Sequence, residues 1–157
     1  WAAAGFGVAI KLLNRLRHPL VSTALYLAMG WVVVFAAGPL LERMPAGGRI
    51  LLIGSRTANG APTRSQYAAT KAALVGMARS WAAELAPRGI TVNVIAPGAT
   101  DTPFLHDPAR AHTPPRMPPI GRFIAPEEVG AMAAFLASEY GGAITGQQIV
   151  MCGGASL

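Results

Sequence analysis

The stretch SRTANGAPTRSQYAATKAAL, residues 55–74, places a serine twelve residues before a tyrosine and a lysine four residues after that tyrosine. The residues from the second serine onward are rich in strong helix formers. The sequence therefore predicts a helix over residues 65–86, with Ser65 as its N-cap and a Pro-Arg-Gly terminator. On such a helix Tyr67 and Lys71 share one face. Because a neighbouring ammonium favours a phenolate, this pair suits acid–base chemistry.

Three short apolar runs flank the predicted helices, and they predict strands buried on both faces of a parallel sheet. The first run, GRILLIG, delivers Ser55 at the carboxyl end of its strand, where open α/β sheets place their ligands. A second helix, with Pro126 in its first turn, is predicted between the last two runs. The order strand, helix, strand, helix, strand indicates a parallel α/β fold. The predicted strands cover residues 49–54, 90–95 and 147–151.

Several motifs in this order resemble the C-terminal half of a short-chain dehydrogenase/reductase, over about residues 48–157. The motifs are IGS, YAATK, VNVIAPGATDT, GRFIAPEEVGAMAAFLAS and ITGQQIVMCGG. The resemblance implies the C-terminal half of a Rossmann-like doubly wound parallel sheet. It also implies an NAD or NADP cofactor and hydride transfer to or from a small-molecule carbonyl or alcohol substrate.

The roles known in that family transfer to matching positions of this chain. The resemblance implies that Tyr67 is the general acid/base and that Lys71 favours its phenolate while binding the nicotinamide ribose. Ser55 would polarise the carbonyl or hydroxyl of the substrate. No metal site is expected. The residues expected to bind the cofactor are Tyr67, Lys71, Pro97, Gly98 and Thr102, the last at the carboxamide.

The sequence departs from the family pattern at two positions. Ser55 lies one residue closer to Tyr67 than the usual family spacing. Cys152 stands where the family usually has an acid, and as the only cysteine it is expected to be a buried, inert thiol. The proline-rich stretch 101–123 corresponds to a mobile substrate lid in the family, and His106 within it is expected to be a solvated loop residue.

The dinucleotide-binding half of the family has no counterpart in the sequence before Ser55. The family uses a strand, a Gly-x-Gly-x-x-Gly turn and a helix to hold the phosphates. The Gly-x-Gly at Gly5 and Gly7 follows no predicted strand and lacks the third glycine. We therefore expect a truncated oxidoreductase that is inactive alone, or one that works only when another chain supplies the nucleotide half. The chain begins with Trp1 rather than Met, which is expected of a fragment, an unusual start codon or a misassembled reading frame.

The first 47 residues differ in kind from the rest. Residues 19–41 are 23 consecutive residues without a formal charge, long enough to span a bilayer as a helix. Residues 11–48, with their LYLAMGW core, resemble part of a hemolysin III or adiponectin-receptor-like membrane protein. We therefore expect a membrane-type segment over residues 1–47 and a reductase half-domain over residues 48–157. A buried core helix is the alternative for the apolar run.

Composition separates the remaining classes of function. The chain has 157 residues, 52% of them hydrophobic and 13% charged, with a mean hydropathy of +0.40. Its net charge of +6 would suit nucleic acid or anionic lipid, but the arginines are scattered and no nucleic-acid-binding motif occurs. We therefore expect no nucleic-acid partner. Membrane association through residues 19–41, with the remainder cytoplasmic, is the expected location, and a membrane-anchored non-enzyme is the alternative function.

The predicted half-sheet also has a consequence for assembly. Its first strand would lack the neighbour that a complete doubly wound sheet provides, and an open strand edge invites pairing. We therefore expect marginal stability and association, as a homo-oligomer or by pairing through that edge.

Overall fold

The computed structural model describes residues 37–108 and 114–157. The chain divides into two compact units between Met44 and Pro45, and residues 37–43, in the first unit, are helical. The second unit contains a three-stranded parallel sheet in the order β1-β2-β3. The three predicted strands and their parallel pairing are confirmed. The strands are β1 (Arg49–Ile53), β2 (Thr91–Pro97) and β3 (Gln148–Met151).

The central strand β2 carries the core of this unit. Every residue from Thr91 to Ala96 is buried, because strands lie on both of its edges and helices pack against it. Asn93 is fully buried and ties β2 to the segment before β3. Its side-chain amide donates to the Ile144 carbonyl at 2.7 Å, and its side-chain oxygen accepts from the Gln147 N–H at 3.1 Å. These bonds satisfy the buried amide, so Asn93 is a structural residue.

Helix α1 (Ser65–Leu85) packs on β2 and matches the predicted helix closely. The predicted cap is wrong, because Ser65 is already the first helical residue and Arg64 precedes it without a side-chain capping bond. The helix continues into a 3-10 turn and ends at Gly89, whose φ of +67° is a left-handed conformation that glycine adopts without strain. The residues that α1 buries recur at helical spacing and are Ala78, Ala82 and Leu85.

Helix α2 (Pro126–Ala137) packs on β1 and β2. Its start is fixed by Glu128, whose carboxylate accepts the N–H of Ala125 at 2.8 Å. The same carboxylate accepts two bonds from the Arg122 guanidinium, at 2.6 and 2.8 Å. An acidic side chain in the first turn also suits the positive end of the helix dipole.

The edge strand β1 is less buried than its sequence predicted. Its first four residues are half-buried and Ile53 is 53% exposed, so the expectation of a strand buried on both faces is wrong. The reason is topological, since β1 pairs with β2 on one edge and with no other strand that the structure describes. The apolar run forms a strand, as predicted, but its burial depends on neighbours that a local pattern does not contain.

The expected membrane span lies mostly outside the described residues, which exclude residues 19–36 of it. Among the helices that are described, none has both the length and the apolar character needed to cross a bilayer.

Candidate active site

Ser55 lies just beyond the carboxyl end of β1, as the sequence predicted. It has an extended backbone and begins a 3-10 turn over Arg56–Asn59. Its Oγ accepts a hydrogen bond from the Thr57 N–H at 3.2 Å. Because that bond uses a lone pair of the hydroxyl, the hydroxyl proton of Ser55 stays available to donate to another oxygen.

The glycine before the serine has a packing reason. A Cβ on Gly54 would lie 2.6 Å from Cγ1 of Val94 on the neighbouring strand, closer than real Cβ contacts allow. Gly54 also donates its N–H to the Ile95 carbonyl at 2.7 Å. The close approach of the two strands therefore fixes the backbone immediately before Ser55.

Tyr67 and Lys71 lie together on α1, and Lys71 ties this helix to the end of β1. The Lys71 Nζ lies 5.8 Å from the centre of the Tyr67 ring and donates to the Ile53 carbonyl at 2.9 Å. Burial lowers the pKa of the Lys71 amine. Tyr67 is 48% exposed, so it lies at the surface of this unit.

The two expected nicotinamide-pocket positions on β2 and its turn lie at the same edge of the sheet as Ser55, because the strands are parallel. Pro97 is the last residue of β2, and Gly98 donates its N–H to the Met151 carbonyl at 2.9 Å. A Cβ on Gly98 would lie 2.9 Å from the Cα of Cys152. Glycine is therefore favoured at position 98 by the close approach of the backbone just after β3.

Thr102 follows the same strand end, in the first turn of the expected lid. Its hydroxyl donates to the Thr100 carbonyl at 3.4 Å, and Thr100 forms a parallel bridge with Ile124. The segment that carries Thr102 is thereby attached to the residues just before α2. Residues 109–113, within the expected lid, lie outside the described part of the chain.

A hydrogen bond between two side chains at the start of the lid was not predicted from the sequence. His106 Nε2 lies 2.6 Å from Asp101 Oδ1, and its ring meets that of Phe123 edge-on at 6.2 Å. Asp101 also donates its N–H to the Ile124 carbonyl at 2.8 Å. His106 is exposed, as expected, but it is paired rather than only solvated. A five-residue spacing in a loop carries no recognised signal for such a pair.

A shallow cleft of about 290 Å³ lies along α1, but none of the expected catalytic residues lines it. Its walls are mostly small or apolar, so we do not place the active site there. Within residues 37–108 and 114–157, no three His, Cys, Asp or Glu side chains are grouped as metal ligands would be. The cleft is lined by Ala58, Asn59, Ala72, Val75, Gly76, Arg79 and Gln148.

The chain is similar to known proteins over most of its length. A family model described as enoyl-(acyl carrier protein) reductase matches residues 29–156. The 3-oxoacyl-[acyl-carrier-protein] reductase FabG of Thermotoga maritima is 46% identical over 98 residues, covering 60% of this chain and 39% of the relative. Oxidoreductase UcpA of Salmonella typhimurium is 39% identical over 139 residues, covering 81% of this chain and 52% of the relative. The chain thus spans about half or less of the length of these curated relatives.

Solved structures show the same likeness. A short-chain dehydrogenase from Burkholderia cenocepacia J2315, in complex with NADP, superposes with a TM-score of 0.71 at 37% sequence identity. The match covers 80% of this chain and 52% of the dehydrogenase chain. A doubly substituted mutant of a short-chain dehydrogenase/reductase from Serratia marcescens superposes with a TM-score of 0.74 at 34% sequence identity. The match covers 89% of this chain and 59% of the mutant chain.

These matches correct one boundary drawn from the sequence. The family match begins at residue 29, inside the segment compared with hemolysin III proteins, so the expected start of the reductase resemblance at about residue 48 is wrong. A long apolar run is also what a helix in an α/β core requires, and periodicity alone does not separate the two cases. The hemolysin III likeness gains no support from these matches. The chain belongs to the short-chain dehydrogenase/reductase family.

Proposed function

We propose that this protein is an NAD(P)-dependent oxidoreductase that interconverts a carbonyl and an alcohol on a small molecule. The observation that carries the proposal is the hydrogen bond from Lys71 Nζ to the Ile53 carbonyl. That bond holds the helix bearing Tyr67 and Lys71 against the strand end that leads to Ser55. The phenol of Tyr67, the cation of Lys71 and the hydroxyl of Ser55 are then carried by elements that meet at the carboxyl end of β1.

In this proposal Tyr67 and Ser55 act on the substrate oxygen, and Lys71 acts on Tyr67. Tyr67 gives its phenolic proton to the carbonyl oxygen during reduction and takes it back during oxidation. The Lys71 ammonium stabilises the phenolate that remains on Tyr67. Ser55 donates its free hydroxyl proton to the same oxygen, where negative charge develops in the transition state.

The residues at this edge fit the nicotinamide end of a dinucleotide. They supply a partly buried amine, the Thr102 hydroxyl and the Pro97-Gly98 turn at the carboxyl ends of parallel strands. The Burkholderia cenocepacia neighbour was solved with NADP, which supports the same class of cofactor here. The cofactor, when bound, supplies the hydride. Lys71 would contact its ribose and Thr102 its carboxamide.

The first test is the loss of the phenolic proton donor. We expect Tyr67→Phe to abolish NADPH- or NADH-dependent reduction of carbonyl substrates, lowering the rate at least about 100-fold, because a positioned general acid contributes at least that factor. The matched control is Tyr140→Phe, which removes the hydroxyl of a tyrosine that is 75% exposed beyond α2. Unchanged turnover in Tyr67→Phe would refute the assigned role, whereas loss in both variants would point to damage to the fold.

The finer proposal is that residues of this chain alone do not hold the dinucleotide well enough for turnover. No Gly-x-Gly-x-x-Gly turn occurs in residues 37–108 or 114–157, and the Gly5-x-Gly7 pair lies outside the described residues. Positioning a hydride donor against its acceptor is worth roughly 7–11 kcal/mol of barrier, so loss of the phosphate site is enough to silence the chemistry.

This finer proposal is tested by comparing the 157-residue chain with a fusion that supplies a nucleotide-binding half. The amino-terminal half of the Thermotoga maritima reductase is a suitable donor, because its C-terminal portion is the part matched here. We expect NADPH binding and turnover in the fusion and neither in the chain alone. Micromolar NADPH binding and turnover by the chain alone would overturn the finer proposal but leave the reductase assignment standing.

A further inference from the structure

The residues after β3 form a turn that its own hydrogen bonds hold together, and we refer to residues 152–157 as the C-terminal turn. The Ala155 N–H donates to the Cys152 carbonyl at 3.1 Å, and the Leu157 N–H donates to the Gly154 carbonyl at 3.1 Å. The thiol of Cys152 lies 3.0 Å from the hydroxyl of Ser156. The turn therefore has a defined shape against which other segments can be fixed.

Two parts of the candidate site pack on this turn. The Pro97-Gly98 turn lies against Cys152, as the 2.9 Å approach to Gly98 shows. The base of the lid lies against Gly153, because Ile120 donates its N–H to the Gly153 carbonyl at 3.2 Å. A Cβ on Gly153 would lie 2.6 Å from the Ile120 side chain.

The third part of the site is joined to the C-terminal turn by one side chain. Arg56 Nη1 donates to the Ala155 carbonyl at 3.1 Å, across 99 residues of sequence. Arg56 directly follows Ser55 in the chain, and Thr57, the next residue, is buried with 8% of its surface exposed. The turn that begins at Ser55 is thus held by the burial of Thr57 and by the hydrogen bond from Arg56 to the C-terminal turn.

We infer that Arg56 is a positioning residue that fixes the direction of the Ser55 hydroxyl by holding its turn to the C-terminal turn. The inference rests on the proposed function, in which that hydroxyl donates to the substrate oxygen. The Ser55 Oγ is oriented by the Thr57 N–H, so any rotation of the 3-10 turn that carries this N–H also redirects the hydroxyl proton. An arginine suits the role because its guanidinium stays charged and presents several N–H donors in a rigid plane.

The structural part of the inference is tested without activity, by amide hydrogen exchange of the full chain. We expect Arg56→Met to speed exchange of the Thr57 amide about fivefold to tenfold, the size expected for losing the net contribution of one partly buried hydrogen bond. Arg56→Lys keeps a cation that can reach the same carbonyl and should restore most of the protection. The matched control is Arg88→Met, in the turn before the amino end of β2, which should leave Thr57 unchanged.

Removing the acceptor of this hydrogen bond, the Ala155 carbonyl, tests the inference in a second and independent way. Deleting residues 155–157 takes away the Ala155 carbonyl together with the other hydrogen bonds of the C-terminal turn, so it should speed Thr57 exchange at least as much as Arg56→Met. In the shortened chain Arg56→Met should have little further effect, because the bond that it would remove is already absent. Full additivity, or an Arg56→Met chain with wild-type exchange at Thr57, would overturn the inference.

The functional part is tested by measuring kcat and KM separately. The protein used is the chain alone or its fusion to a nucleotide-binding half, depending on which of them turns over. We expect Arg56→Met to lower kcat about fivefold to tenfold with little change in KM, since the serine bond strengthens in the transition state. Arg56→Lys should recover kcat. Equal changes in both constants, or unchanged kcat beside faster exchange, would refute a positioning role. Absence of turnover in every form would reject the proposed function, and the exchange experiment would then decide on the Arg56 bond alone.

Discussion

At the scale of single residues, Glu128 shows how a surface group can fix the start of an element. The Arg122 hydrogen bonds, followed by the Ala125 N–H, lower the pKa of the Glu128 carboxyl from 4.5 to about 2. A carboxyl whose pKa is lower in the folded state stabilises that state when it is ionised. This contribution is fully present above about pH 4.5 and is lost as the pH falls through about 2.

We therefore expect Glu128→Gln to lower the free energy of unfolding at neutral pH and to have less effect as the solution is acidified. The difference from the unmodified chain should shrink between pH 4.5 and pH 2, the interval between the two pKa values. It should also shrink in high salt, because both side chains are partly exposed. Denaturant unfolding over this pH range measures it, with Glu127→Gln in the same helical turn as the control. A difference that stays constant with pH would contradict the assignment.

The residue scale also shows what the sequence could and could not predict about the site. The places of Ser55 at a strand end and of Tyr67 and Lys71 on one helix were predictable because these are local signals, whereas their roles come from the family resemblance and stay predictions. The bond from Arg56 to Ala155 was not found, because it joins segments 99 residues apart and depends on how two turns meet. The pair of Asp101 and His106 was missed for a similar reason, since loop geometry has no periodic pattern.

At the scale of elements, we expect opposite effects for two glycine substitutions, one at the close contact that follows β2 and β3 and one at an open position of α2. Gly98→Ala puts a Cβ 2.9 Å from the Cα of Cys152, where backbone rather than a flexible side chain must move. We expect it to lower the free energy of unfolding by about 1–3 kcal/mol, the usual cost of overpacking.

Gly130→Ala is the matched control for that substitution. Gly130 lies inside α2, where an added Cβ would have no heavy atom within 4 Å. Alanine should therefore raise the free energy of unfolding by roughly 0.5–1 kcal/mol, through helix propensity and a less flexible unfolded chain. Both values can be measured by denaturant unfolding of the same chain. A Gly98→Ala variant as stable as the original would contradict the close contact.

The helices and strands were largely predictable from the sequence, and the predictions that failed depend on more than a local pattern. The strands and α1 were placed to within two residues at each end, because apolar runs and helix formers are local signals. The cap at Ser65 was wrong, since capping depends on the backbone conformation of one residue. The burial of β1 was wrong because it depends on neighbours in space. The start of the reductase resemblance was wrong because the family match begins at residue 29, within an apolar run whose periodicity is compatible with more than one class of protein.

At the scale of the whole molecule, the open edge of β1 bears on assembly. Its outer edge pairs with no strand that the structure describes, and its last side chain, Ile53, is 53% exposed. Unpaired backbone groups beside exposed apolar side chains are a template for another strand. Pairing through this edge is our proposal for how copies of the chain associate.

The proposal predicts that a charge on this edge disperses the chain. Lysine on an edge strand opposes pairing, because its ammonium must stay hydrated. We therefore expect Ile53→Lys to shift the chain toward monomers in light scattering coupled to size-exclusion chromatography at a fixed protein concentration. Val150→Lys is the matched control, since Val150 is 36% exposed on β3, the other edge strand. If Val150→Lys disperses the chain and Ile53→Lys does not, association runs through β3 and the open edge of β1 is not the contact.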